Sequence, residues 1–132
     1  MLNELEKWVL NEMVWHLQEM EGQEVNVCEL AFSLFETENI NGSYNCSAYD
    51  ANQWIKAHWF DLSEVVEEYE DEFGEYPANC WTNPEVFQVQ IIIYMACQLI
   101  SNSKFIENYW NEEIRLTKEV INIIAKEWSD CL

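Results

Sequence analysis

A chain of 132 residues fits one domain and leaves little room for two. Hydrophobic residues make up 49% of it, and seven Trp, six Tyr and six Phe run along its length, so it can pack a core and does not have the aromatic-poor composition of a disordered chain. The net charge of -19, from 25 acids against six bases, argues against a direct binder of DNA, RNA or anionic membrane and favours a basic protein or a divalent cation as partner.

The chain reads as mainly α, a compact single-domain bundle of five to six helices over residues 1–132. Residues 2–20 predict the first helix, with Leu2, Leu5, Val9, Met13, Leu17 and Met20 recurring at three or four residues, Trp8 and Trp15 beside the stripe and Gly22 as its stop. A second helix is expected over 26–38, with Val27, Leu30, Ala31, Leu34 and Phe35 inward. Asn39 to Ser43 then reads as a turn. A small hairpin near residues 39–46, around Tyr44, is the one departure from an all-α reading. A third helix is expected over 48–59 with Ser47 as N-cap. In the fourth, Asp61 and Glu64 have the spacing of an N-cap and an acidic N3, Leu62, Val65, Tyr69 and Phe73 form the buried stripe, and Gly74 stands where a C′ residue takes positive φ. Thr82-Asn83-Pro84-Glu85 opens a helix to about Ile100 that is apolar nearly all round and serves as the central core helix. A short helix over 104–112 follows, and Thr117 caps the last, with Val120, Ile121, Ile124 and Trp128 inward.

The N-terminus shows neither a basic region nor a long apolar run, so no signal peptide is expected. The longest apolar run, Ile91 to Cys97, falls far short of the roughly 20 residues that span a bilayer. Cys28, Cys46, Cys80, Cys97 and Cys131 form no CxxC pair and are expected as reduced thiols, with Cys28 and Cys97 as small core hydrophobes. The sequons at Asn41 and Asn45 are then accidental. No GxSxG, P-loop, GxGxxG or HExxH motif is present, so neither a catalytic residue nor a cofactor is expected.

Charge is unevenly placed. From Ala57 to Ser103 there are nine acids and no Lys or Arg. Glu64, Glu67, Glu68, Glu70, Asp71, Glu72 and Glu75 fall within this stretch, and Glu64, Glu68, Asp71 and Glu75 share one face at i, i+4, i+7 and i+11. Like charges at these spacings oppose the helix, and no base interleaves to relieve them. One reading is a charge rod that imitates a nucleic-acid backbone for the Arg and Lys of a basic cleft; the other is a solvated face. Tyr44, Tyr49, Trp54, Trp59, Phe60, Tyr76 and Trp81 surround this helix; most are expected in the core, with one or two, Tyr76 among them, as exposed anchors for Arg. His16 with Glu12 and Glu19, and His58 with Asp61, leave a carboxylate metal site as a further alternative, although a di-iron bundle wants Glu-x-x-His on two helices and here the order is reversed. No metal ligand is assigned.

Asn41-Gly-Ser-Tyr44 with Trp54-Ile-Lys56, Val65-Val-Glu-Glu-Tyr69 with Phe73-Gly-Glu75, and Asn83-Pro-Glu-Val-Phe-Gln-Val89 resemble a group of small acidic proteins encoded by phages and mobile elements of low-GC Gram-positive bacteria. The resemblance spans about 41–100 and carries over no catalytic residues. It implies an accessory gene acting in the host bacterial cytoplasm against host defences, as DNA-mimicking anti-CRISPR and anti-restriction proteins do; the link to those is analogy of charge and size. The leading expectation is a non-enzymatic inhibitor of a basic nucleic-acid-binding host protein, a CRISPR effector or restriction nuclease, with Glu64, Glu67, Glu68, Glu70, Asp71, Glu72, Glu75 and Tyr76 at the contact. An acidic interaction or regulatory module, including a homodimer, is the first alternative.

Overall fold

The computed structural model describes residues 1–35 and 47–132. The fold is mainly α, with seven α-helices among the described residues: α1 (Glu4–Glu19), α2 (Leu30–Leu34), α3 (Ala48–Ala57), α4 (Trp59–Phe73), α5 (Pro84–Leu99), α6 (Lys104–Asn108) and α7 (Lys118–Ser129). Short 3-10 turns precede α2 and follow α5.

Local chemistry sets most of the boundaries. Asn3 and Glu6 close a reciprocal capping box at α1, the Asn3 side chain accepting from the Glu6 amide at 2.8 Å and the Glu6 carboxylate from the Asn3 amide at 3.0 Å. Ser47 and Thr117 cap α3 and α7, each accepting an amide hydrogen bond from the third residue on. Pro84 sits in the first turn of α5, where its missing N–H costs nothing. Gly74 ends α4 at φ 70°, a backbone conformation open to glycine at little cost.

Three expectations need correction. Among the described residues the second helix is only Leu30–Leu34: Val27–Glu29 before it form a 3-10 turn, and Glu24–Asn26 form a strand, β1, paired antiparallel with β2 (Glu113–Arg115). The register is Glu24↔Arg115, Val25↔Ile114 and Asn26↔Glu113; Val25 is buried, and Arg115 pairs with Glu24 at 3.5 Å. This ribbon ties the α1–α2 connection to the α6–α7 connection, and it shortens the expected helix over 104–112 to Lys104–Asn108. The hairpin expected near 39–46 lies outside the described residues. Asp61 is not the cap of α4: the helix starts at Trp59 directly after α3, with His58 as the shared junction, so Asp61 and Glu64 are both inside it.

One hydrophobic core draws on every helix. The central α5 packs against α1, α2, α3 and α4, and α1 packs against α7. Its own side chains are buried on several faces, including Phe87, Ile91, Ile92, Met95 and Leu99. Glu127 of α7 reaches across to the start of α6, accepting from the Ser103 hydroxyl and the Lys104 amide, each at 2.9 Å. Trp8, Trp54 and His58 meet at the junction of α1, α3 and α4, with ring centroids 5.3–5.9 Å apart.

His16 is buried in the core, edge-on to Trp15 and Phe35. Burial lowers its pKa below the ordinary 6.5, with Glu12 and Glu19 only partly opposing. The unfolded chain therefore takes up a proton that the folded state resists, and stability falls as the pH drops through 6.5 towards the lower folded pKa. Urea midpoints at about pH 7.5 and about pH 5.5 test this. The native chain loses more on acidification than the His16→Gln variant; parallel losses would contradict it.

Candidate functional site

Helix α4 forms through its apolar stripe: Leu62 and Val65 are buried, and Val66 and Tyr69 pack partly against the core. At 100° per residue the opposite side is an acidic crest. Glu64, Glu67, Glu68 and Asp71 are all exposed there. Ion pairs among the described residues join Lys7–Glu4, Arg115–Glu24 and Lys126–Asp130, and the buried His16 lies 3.9 Å from Glu12; none of these is on α4. The expected acidic residues separate into distinct positions. Glu70 is half-buried on one flank of the crest. Glu72 lies on the other, where it raises the pKa of the Tyr94 hydroxyl, an effect second to burial. Glu75 does not extend the row, because Gly74 has already ended the helix.

From Glu64 to Glu72 the helix carries Glu64, Glu67, Glu68, Glu70, Asp71 and Glu72. Nine residues rise about 13.5 Å, so these six acids give one charge per roughly 2.3 Å, between the ~1.7 Å of duplex DNA and the ~3.4 Å of one strand. Repulsion along this row opposes folding. Raising salt from about 0.05 to about 0.5 M is expected to raise Tm by about 5 °C, because the Debye length shortens well below the spacing of the more distant charges. A salt-independent Tm in calorimetry would contradict that.

The aromatic side chains around α4 correct the expectation that most are core. Trp54 is buried, but Phe60 is 92%, Tyr76 77%, Trp81 60% and Trp59 50% exposed, and Tyr49 is exposed as well. Tyr44 lies outside the described residues. Phe60 stands one turn before Glu64 and so begins the acidic crest with an apolar side chain in solvent.

Each flank of α4 borders an apolar groove. On the first, α4 and the loop after Gly74 enclose about 590 Å³, lined among others by Trp59, Leu62, Val66, Pro77, Trp81 and Phe87. The Trp59 and Trp81 rings lie 5.4 Å apart at 38°. The loop is pinned in place: the Ala78 amide donates to Gln90 Oε1 at 2.7 Å, and the Asn79 side chain accepts from the Trp81 and Thr82 amides at 2.8 and 3.1 Å. On the second flank, Tyr69, Phe73 and Tyr94 pack ring to ring between α4 and α5, at the edge of a groove of about 540 Å³.

Cys97 lines that second groove and, like Cys28, is exposed and not a core residue. Partial desolvation within the groove and the nearby Glu72 raise its pKa, which keeps it as the weakly nucleophilic thiol. Among the described residues no three His, Cys, Asp or Glu side chains converge as a metal-binding group, and no helix is long and apolar enough to cross a membrane. Sequence reasoning placed Trp59 and Trp81 around the acidic helix but did not foresee that they meet as a tilted ring pair beside the crest; Trp81 precedes the Thr82-Asn83-Pro84 helix start, a loop position where burial is least enforced.

Comparison with protein-family models, with curated proteins and with solved structures found no match.

Proposed function

We propose that this chain is a non-enzymatic binding protein that occupies the basic cleft of a nucleic-acid-binding protein, with α4 taking the place of a phosphate backbone. The observation that carries this reading is the crest of Glu64, Glu67, Glu68 and Asp71, exposed and without an ion pair among the described residues. Evolution of an ordinary solvated helix would relieve such a row with Lys. Here the stretch from Ala57 to Ser103 holds none. A fixed row of carboxylates on a packed helix is pre-organised, so a basic cleft meets it without ordering it first. Its field also speeds encounter with a cationic surface.

The resemblance to acidic phage and mobile-element proteins makes a host defence nuclease, a CRISPR effector or restriction enzyme, the proposed target class, and the bacterial cytoplasm the proposed place of action. Capture from a bacterial lysate on the immobilised chain, eluted stepwise from about 0.1 to about 1 M salt, tests the reading. One dominant nucleic-acid-binding protein leaving at intermediate salt supports it. Recovery of only a salt-resistant partner, or of the chain itself, favours an interaction module with a solvating surface.

A further inference from the structure

The crest accounts for charge recognition, but not for a tilted, half-exposed tryptophan pair in a groove beside it. Exposing Trp59 and Trp81 to water is unfavourable, yet both are half or more exposed, and the loop that carries Trp81 is fixed through its backbone by the Asn79 side chain and by Gln90. The groove is walled by apolar side chains. Glu67 and Glu70 stand one turn along α4 from the groove-lining Ser63 and Val66. Exposed indoles on the flank of an acidic helix suit a planar, weakly hydrated cation, which lies on the ring face within the negative field of the helix.

We propose that this groove is an arginine-selective subsite for a basic polypeptide segment, an Arg side chain of the partner lying against Trp59 and Trp81 while the rest of the segment runs along α4 towards Glu67 and Glu70. The inference rests on the reading of α4 as a binding ridge and adds a side-chain preference to it. Charge decides the occupant. A second copy of the chain would bring its own base-free 57–103 face against this one, and a nucleic acid would bring phosphates; both are repelled by a net charge of -19. A cationic polypeptide is attracted. Lysine pairs with the crest equally well, but its compact, strongly hydrated ammonium gains less from the indoles.

Calorimetric titration of the full chain at about 0.1 M salt with blocked hexa-arginine and blocked hexalysine separates the two components, because the peptides carry equal charge. The native chain is expected to bind hexa-arginine about tenfold more tightly than hexalysine. Trp59→Ala with Trp81→Ala removes this preference and keeps hexalysine binding, while Trp81→Phe restores part of it. Reversal of Glu64, Glu68 and Asp71 to Lys weakens both peptides and leaves their ratio. Equal binding of the two peptides by the native chain, or a preference that survives in the Trp double variant, overturns the subsite and leaves the ridge standing. Failure of both peptides to bind overturns the ridge reading and the subsite with it. Self-association abolished by Trp81→Ala would assign the groove to a second copy and overturn the proposal.

Discussion

Trp128→Ala is expected to destabilise the fold by about 3–5 kcal/mol. Trp128 is wholly buried on α7, the largest of the fully buried side chains. Its loss opens a cavity that neighbouring helices can close only in part. It also removes the hydrogen bond in which the indole N–H donates to the Ile100 carbonyl at 3.3 Å, a contact that fixes α7 against the end of α5. The buried carbonyl is then left without that donor, which adds its own cost. Domains of this size hold roughly 5–15 kcal/mol in all, so the variant sits close to unfolding at 37 °C. Urea denaturation followed by circular dichroism measures the loss. A change below about 1 kcal/mol would mean that α7 is not integral to the core.

Reversing Glu64, Glu68 and Asp71 to Lys is expected to weaken binding to the captured partner at least a hundredfold and to leave the helical signal intact. All three are exposed on the crest, so the substitution breaks no core contact. It relieves like-charge spacing along α4, and thermal stability should hold or rise. Removing a charge would lose one attraction, whereas reversal also creates a repulsion against each basic group of the cleft. A variant that binds as the native chain does, with its fold unchanged, would contradict the ridge. The same reversal placed on Glu112, Glu113 and Glu119, exposed acids outside α4, should change affinity only slightly, through long-range steering that salt screens.

Elements bounded by local signals were readable in the sequence. α1 and α7 follow their apolar spacing, α5 opens at its Asn83-Pro84-Glu85 start, Gly74 ends α4 because few other residues accept φ 70°, and Thr117 caps α7 through its own hydroxyl. Elements fixed by distant partners were not. The strands Glu24–Asn26 and Glu113–Arg115 are three residues each, too short for an alternating pattern, and depend on a partner across most of the chain. Glu127 looks like an ordinary surface acid of α7, yet it satisfies donors at the start of α6. Asp61 carries a capping signature, but α3 already delivers the chain at His58 in a geometry from which α4 can begin, and tertiary packing overrides the local preference. The acidic row was read from spacing alone; its loss of Glu75 and the exposure of Trp59, Phe60 and Trp81 depend on how α4 lies on the core, which periodicity does not encode.

If α4 takes the place of a phosphate backbone, its crest and a nucleic acid compete for one cleft. The direct measurement is displacement of labelled DNA or RNA from the captured partner by the purified chain, followed by fluorescence anisotropy at several nucleic-acid concentrations. Complete displacement is expected, with the amount of chain needed rising in proportion to the nucleic acid present and the crest-reversal variant failing to displace. A ternary complex, with nucleic acid and chain bound together, would contradict it.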